Sequence, residues 1–405
     1  MKKIVALLLA LVMLLGLVAC GGPAASSNPP ASNPPADASQ PVSDPGSEGP
    51  QLSADGRYPA ETVKIGFVNY DTTAEQTIIL GDYFKYLQQY LNFEIIWSES
   101  LDSAEGELDF IETCAAAGCK AIIGYYNVSN EQALLKCAEL GMYYWGQGGN
   151  TAFEDYMDNP WYLGSHYSGD SEYEYGYGCI EMLVDAGCHK IIGASGGKDF
   201  GVEIFIDRWR GAMDAIADFQ AKGYDIEMIY EVAGFPGTDG SFEANQATAL
   251  QTDADGLFST LSALMWISPM QDAGKFGQIK VAAVGETMSD AAIGMFGAGF
   301  YVGTATEIID VFGLAIPMIL NAVTGHAEEQ RTADGKALMV DVGWWKVTNV
   351  EDAGYYASVQ GGDNGWVFDI DDIRSVLYDY NPDLTVEDFS TLYSSVTAAE
   401  IQARR

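Results

Sequence analysis

A serine flanked by glycines is the first group in this chain that could do covalent chemistry. Gly193-Ala194-Ser195-Gly196-Gly197 fits Gly-x-Ser-x-Gly, the strand-to-helix turn that presents a nucleophilic hydroxyl. Such a serine needs a base within hydrogen-bond reach. The histidines are His166, His189 and His326, and a hydrolase using Ser195 would have to draw on His166 or His189. Nothing in the spacing sets either beside it. Extended through Lys198 and Asp199, the segment looks like a phosphate loop. Its first glycine position, however, holds Ile192, and Asp199 stands where a Ser or Thr should bind magnesium. Five cysteines follow Cys20, namely Cys114, Cys119, Cys137, Cys179 and Cys188, and an odd number cannot pair completely within one chain. Contexts such as Cys114-Ala115-Ala116-Ala117-Gly118-Cys119 read as small buried hydrophobes. Asp253-Ala254-Asp255-Gly256 and Asp369-Ile370-Asp371-Asp372 lack the rest of a calcium-loop ligand set. No metal, no cofactor and no enzymatic activity are therefore expected, with the Ser195 hydrolase as a minor alternative.

Noncovalent chemistry is better supplied. Tyr70-Asp71, Tyr125-Tyr126-Asn127, and Trp145 with Gln147 pair rings that can stack with groups that can bond hydroxyls. Each has a plainer alternative, Tyr70 and Asp71 as loop residues and Trp145 as core. Their placement sets them apart. Val63 to Asn69, Phe93 to Trp97, Ala121 to Gly124 and Met142 to Trp145 read as buried strands. Between them, Glu75 to Leu91, Glu105 to Gly118, and Ser129 or Asn130 to Leu140 carry apolar residues at helical spacing. Strands alternating with helices predict a parallel sheet covered on both faces, and ligands of such sheets bind at the carboxyl ends of the strands. The loops 69–73, 98–101, 125–127 and 146–150 are at those ends.

A second series repeats the pattern. Lys190 to Ser195, Ile226 to Val232, Gly256 to Thr260, Ile279 to Glu286 and Tyr301 to Thr306 read as strands. Helices are expected over Ile204 to Phe219, Gly240 to Thr252, Leu264 to Ala273 and Ala291 to Ala298. A longer one, Ile308 to Thr324, contains Pro317 and should kink there. The stretch Trp161 to Gly211 joins the two series and is read as the crossover between two lobes, with function in the cleft between them.

Composition narrows the partners. The 405 residues are 48% hydrophobic, enough for two cores, and 57 acidic against 20 basic side chains give a net charge of -37. Nucleic acid, which needs a basic footprint, is an unfitting partner. At the front, Lys2 and Lys3 precede an apolar run from Ile4 to Val18 that is short for a membrane span. It ends in Leu17-Val18-Ala19-Cys20-Gly21-Gly22, which resembles the bacterial lipobox. That resemblance implies cleavage before Cys20 and a lipidated Cys20 holding the protein to the outer face of the cell membrane. Gly21 to Ala60, rich in Pro, Ser, Ala and Asn, reads as a disordered tether. No later apolar run is read as a membrane span.

The order of phrases resembles the type I periplasmic-binding-protein family, its sugar-binding branch in particular, over roughly 62–348. The phrases are Lys64-Ile65-Gly66-Phe67-Val68, Ala115 to Ile123, Leu163-Gly164-Ser165, and Gly176 to Gly187 leading into Lys190-Ile191-Ile192. They continue with Asp207 to Ala215, Asp253 to Phe258 and Val281 to Gly285. The resemblance implies an α/β fold of two Rossmann-like lobes with parallel sheets, joined by a three-stranded hinge. It implies lobes of 61–165 plus 305–338 and of 166–304 plus 339–405, the latter with a C-terminal extension from about 349. Crossovers would fall near Gly164 to His166, Thr304 to Glu307 and Gly335 to Val340.

It also implies capture of a small polar ligand, a sugar, for an ABC permease by a monomeric receptor. Arg208, Trp266, Glu286 and Glu307 then join Tyr70, Asp71, Tyr125, Tyr126, Asn127, Gln147 and Ser195 as ligand contacts, with a surface salt bridge the plainer reading of Arg208 and lobe core that of Trp266. His166 should lie at the hinge, and Ser195 should face Tyr125 across the cleft. Two departures qualify the sugar. The family's Asp-Arg pair after strand four is replaced by Gly146 and Gln147, and its Asn-Asp pair after the Gly256 to Thr260 strand by Leu261-Ser262. A less polar, nucleoside-like ligand stays open, as does a surface sensor of the same fold that signals to a membrane receptor.

Overall fold

The computed structural model describes residues 49–405, apart from 102, 126–128, 147–150, 167–168, 239 and 341. The leader, Cys20 and most of the expected tether lie outside the described residues. The tether's last expected residues do not: Tyr58-Pro59-Ala60 open the first strand. Tyr58 is fully buried, and its Oη donates to Asp379 Oδ2 at 2.9 Å. One aromatic ring with a core site overrides a Pro-rich context.

The first sheet is wound from β1 (Tyr58–Val68), β2 (Leu91–Trp97), β3 (Ala121–Gly124), β4 (Tyr143–Gly146) and β5 (Tyr162–Ser165). Helices α1 (Glu75–Leu87), α2 (Ala104–Ala116) and α3 (Asn130–Glu139) connect them. In α1, Leu80, Tyr83, Phe84 and Leu87 are buried at the i, i+3, i+4, i+7 spacing that covers a sheet. The helix stops short of Leu91, which is fully buried as the first residue of β2.

The second sheet repeats the plan. Its strands are β6 (Lys190–Gly196), β7 (Glu227–Ala233), β8 (Gly256–Ser259), β9 (Lys280–Val284) and β10 (Tyr301–Glu307). Its helices are α4 (Gly169–Asp185), α5 (Glu203–Ala221), α6 (Ser241–Ala249), α7 (Ile267–Asp272) and α8 (Asp290–Gly297).

Two short strands complete the sheets, β11 (Leu338–Met339) and β12 (Trp344–Val347). The orders are β11-β5-β4-β3-β1-β2 and β12-β10-β9-β8-β6-β7. All pairs are parallel except β10 with β12. In each sheet the order reverses beside the strand that comes first in sequence, β1 or β6, which is where ligands of open α/β sheets bind. Three segments pass between the sheets: after Ser165, after Glu307, and between Met339 and Trp344. The architecture is therefore two α/β lobes with parallel sheets joined by three passes of the chain.

Helices α4 and α5 cross at unusually close range. A Cβ on Gly176 would lie 1.8 Å from the Arg208 carbonyl oxygen, and one on Gly211 would lie 1.9 Å from that of Tyr173. The two glycines let the backbones touch, which fixes Glu172 and Tyr175 against Phe205 and Arg208.

The expected long helix Ile308 to Thr324 is instead three pieces. A 3-10 turn (Ile309–Leu314) leads into α9 (Ala315–Asn321) and a π turn (Ala322–His326). Pro317 falls in the first turn of α9, where its missing N–H has no helical acceptor to lose, so it is accommodated by a change of helix type. Ile309–His326 is apolar and long enough to cross a membrane by length and composition, but 78% of it is buried within the protein.

The C-terminal extension straddles both lobes. α10 (Val350–Ser358) packs on α8. The chain then reaches the first lobe through a small hairpin, β13 (Gln360–Gly362) and β14 (Gly365–Trp366), with β13 against α1. Tyr83 Oη donates to the Phe368 carbonyl at 2.9 Å, and the Val367 N–H donates to Asp310 Oδ2 at 2.7 Å. Burial pushes the Asp310 carboxyl up to about 8. Helices α11 (Ile370–Ser375), α12 (Val386–Ser394) and α13 (Ala398–Arg404) each start on a capping box, a local device stabilising each start by about 1 kcal/mol. Trp345 Nε1 donates to the Val396 carbonyl at 3.0 Å and returns the tail to β12. Residues 360–381 therefore rest on the first lobe, where the sequence reading had set all of 339–405 with the second. Their apolar residues complement the exposed flank of α1, a match no local pattern encodes.

Candidate ligand cleft

A cavity of about 720 Å³ opens between the two lobes, at the carboxyl ends of both sheets. The first lobe contributes Tyr70 after β1, Tyr125 after β3, and Glu75 and Gln76 at the start of α1. Tyr125 is 5% exposed and is held by rings on three sides, Phe67 at 5.6 Å, Tyr70 at 5.1 Å and Phe312 at 5.3 Å. Its Oη donates to Gln76 Oε1 at 3.2 Å. Tyr70 is exposed. Thr287 Oγ1, from the second lobe, donates to Glu75 Oε2 at 2.6 Å, a direct hydrogen bond between the lobes.

The second lobe's wall is more heavily bonded. Arg208 Nε donates to Glu172 Oε2 at 2.5 Å and Nη2 to Oε1 at 3.2 Å, while Nη1 donates to the Thr260 carbonyl at 2.9 Å. The guanidinium lies over the rings of Phe205 and Tyr175 at 5.7 and 6.0 Å. Such a pair is stable inside a protein only with fork geometry and its remaining donors satisfied. Phe235 meets Phe205 edge-on at 6.0 Å and extends the apolar wall. Glu286, two residues past β9, is buried; its Oε1 accepts from the Ala263 N–H at 2.8 Å and from Tyr301 Oη. Burial raises its carboxyl above the usual range. Between the walls, His166, Ile308, Val311, Val342 and Gly343 line the cavity from the segments that join the sheets.

Of the residues singled out from sequence, the cleft brings together Tyr70, Tyr125, Arg208 and Glu286. Asp71 turns into its own loop instead. Its Oδ1 accepts from the Thr73 N–H at 2.8 Å and Thr73 Oγ1 at 2.7 Å, bonds that hold its carboxyl below the usual range. Ser195 is fully buried, does not line the cavity, and donates from Oγ to the Val232 carbonyl at 3.4 Å, so it does not face Tyr125. His189 precedes β6 and Ser195 is near its end, roughly 20 Å apart at the usual strand rise. The His189 ring nitrogen is engaged with the Asp225 carbonyl at 2.5 Å, and among the described residues Ser195 has no histidine partner. Trp266 is fully buried against Phe242 and belongs to the core. Trp145, the ring weighed between cleft and core, is also fully buried. Glu307 ends β10, its backbone in register with Trp344. Tyr126, Asn127 and Gln147 lie outside the described residues.

Sequence reasoning missed Glu75, Gln76, Glu172, Tyr175, Phe205 and Phe235. A signal existed for some of them. Glu172 with Tyr175, and Phe205 with Arg208, stand three apart on two helices whose glycines mark a close crossing. A second hollow, about 500 Å³, lies between α1 and β2 and holds none of the candidates. Among the described residues no cluster of His, Cys, Asp and Glu could hold a metal ion, and the five cysteines are buried free thiols.

No family model and no curated protein matches the chain. Solved structures do. An ABC transporter periplasmic solute binding protein from Actinobacillus succinogenes 130z with bound D-allose superposes with a TM-score of 0.58 at 18% identity, over 73% of this chain and 100% of its own. A solute binding protein from Bacillus halodurans C-125 with bound myo-inositol gives 0.55 at 16% identity, over 76% of this chain and 99% of its own. A galactofuranose binding protein gives 0.56 at 11%, over 74% and 98%. At these identities the likeness concerns the fold, and the chain has the fold of the type I periplasmic binding proteins.

Proposed function

We propose that this protein is an extracytoplasmic solute receptor that captures a small polar ligand, a neutral sugar or related polyol, and delivers it to an ABC permease. The carrying observation is the interlobe cavity, in which Arg208 is the only Lys or Arg among the described lining residues and is already forked onto Glu172. An anionic ligand would find no spare counter-charge, and Glu75 and Glu286 would oppose it. Exposed and half-exposed rings on both walls supply stacking faces, and the carboxyl, amide and hydroxyl groups of Glu75, Gln76 and Ser262 supply partners for hydroxyls. Solute binders of this fold hold D-allose and myo-inositol, which supports the class and names the first probes. The lipid anchor on Cys20 completes the reading: a Cys20→Ala protein should leave the membrane fraction.

Thermal shift of the purified protein tests the ligand class. D-Allose, L-arabinose, D-galactose and myo-inositol are compared with their phosphates, with adenosine and with amino acids. Ligand at one hundred times its dissociation constant stabilises the folded state by about 2.7 kcal/mol, an easily read shift. Stabilisation by neutral polyols and not by phosphates supports the reading. Stabilisation by adenosine alone would move it to the nucleoside-like ligand that the aromatic walls also suit. A protein that none of these stabilises is not this kind of receptor.

A further inference from the structure

The cleft wall holds a buried ring nitrogen with no hydrogen-bond partner among the described residues. His166 directly follows β5 in the first segment between the lobes, is 7% exposed, and lines the cavity. The ring stands edge-on to Phe312 at 4.7 Å, and among the described residues its Nδ1 has no hydrogen-bond partner. Buried polar groups are paired in the great majority of cases, so an orphan in the wall of a ligand-sized cavity calls for a partner from outside the chain. Burial pushes the imidazole down to about 3 and keeps it neutral. A neutral imidazole has one N–H donor and one lone-pair acceptor, and its tautomer is set by what it meets. A hydroxyl complements either nitrogen. A carboxylate could use only the donor, and an ammonium only the acceptor.

We propose that His166 is a ligand-contacting, specificity-determining residue of the cleft, its imidazole hydrogen-bonding a hydroxyl of a neutral polyol. This rests on the solute-capture reading above. The position has a consequence of its own. His166 belongs to the joining segment, near the axis about which the lobes would turn, so its contact to a ligand forms before closure and survives it. Tyr70 and Arg208, on opposite walls, bracket a ligand together only when the lobes approach.

The three histidines of the chain make the test direct. Protein with isotope-labelled histidine ring nitrogens is titrated in turn with D-allose, L-arabinose and myo-inositol, and binding is measured in parallel by calorimetry. The expected result is binding of at least one polyol with displacement of the His166 ring signals, while those of His189 and His326 stay put. His166→Phe, which keeps a ring against Phe312, should weaken that polyol about tenfold, the size of one lost hydrogen bond. His166→Gln should recover part of the loss. A polyol that binds without moving the His166 signals overturns the inference and leaves solute capture standing. The labelled wild-type protein gives this answer even if a variant folds poorly. Should none of the three polyols bind, the polyol reading fails and the role of His166 fails with it.

Discussion

On the second lobe's wall, buried Arg208 is bonded to buried Glu172, and buried Glu286 to Tyr301 behind it, before any ligand arrives. On the first lobe's wall, Tyr70 and Glu75 are exposed, and Tyr125 packs among rings with its hydroxyl on Gln76. The two walls come from the same β/α plan, so the difference lies in what was placed on it. A prewired wall keeps its shape at the cost of desolvating charges. A more exposed wall can adjust to a ligand, and its contacts with the other lobe can break when the cleft opens.

The largest expected effect is on the prewired wall. Glu172→Ala leaves the Arg208 guanidinium buried without its counter-charge, and breaking a buried pair in this way costs about 3–5 kcal/mol. Urea unfolding should show it. Tyr125→Phe on the other wall loses the neutral hydrogen bond to Gln76, worth about 0.5–1.5 kcal/mol. Equal losses would erase the contrast between the walls. Next comes the crossing that carries the prewired wall. Gly176→Ala drives a methyl group into the Arg208 carbonyl, and overpacking of this kind costs about 1–3 kcal/mol. Gly211→Ala strains the same crossing, so the double variant should cost less than the sum of the two, which the same unfolding curves would report.

The third effect is a slope with pH. Burial raises the folded-state pKa of Glu286 above its unfolded value. Between those two values the native protein keeps a proton that the unfolded chain has released. Stability therefore falls as pH rises through that window, and is free of this loss below the unfolded value. Glu286→Gln should flatten that part of the stability–pH curve, measured by unfolding at a series of pH values. A curve unchanged by the substitution would mean that the carboxyl is ionised without penalty.

These contrasts also mark how far the sequence could be read. The strand runs at Lys190, Gly256 and Ala121, with helices between them, are legible because fully buried strands are short apolar runs bounded by turns. The two lobes follow from their repetition. Trp266 stayed open between stacking ring and core, and Ser195 was misplaced, because an apolar or small residue near a strand end carries the same signal whether it faces core or cleft. Ser195 turns to the Val232 carbonyl on the neighbouring strand, a contact between residues 37 apart. The prewired wall was half visible. Arg208 and Glu286 were named, but Glu172 was not, because its role depends on two helices meeting through Gly176 and Gly211. The tail's path over α1 was invisible for the same reason: Tyr83 and Phe368 are 285 residues apart.

The smallest expected effect concerns the join between the walls. Thr287→Val removes the hydroxyl that donates to Glu75 while keeping the side chain's shape. The bond is exposed, so water replaces it readily and the stabilisation lost is at most about 1 kcal/mol. Global unfolding would barely register that. The equilibrium between closed and open cleft would, since about 1 kcal/mol changes a two-state ratio by roughly fivefold. Spin labels on cysteines introduced at the exposed positions Ile78 and Phe200, one on each lobe, can report the interlobe distance. The five native thiols are buried and should not compete for label. Thr287→Val should enlarge the open fraction of the ligand-free protein. Glu172→Ala, confined to one lobe, should leave the distance distribution of the still-folded molecules unchanged. If both variants open the cleft alike, the walls are coupled, and the second lobe's bonded network extends through Thr287 to the first.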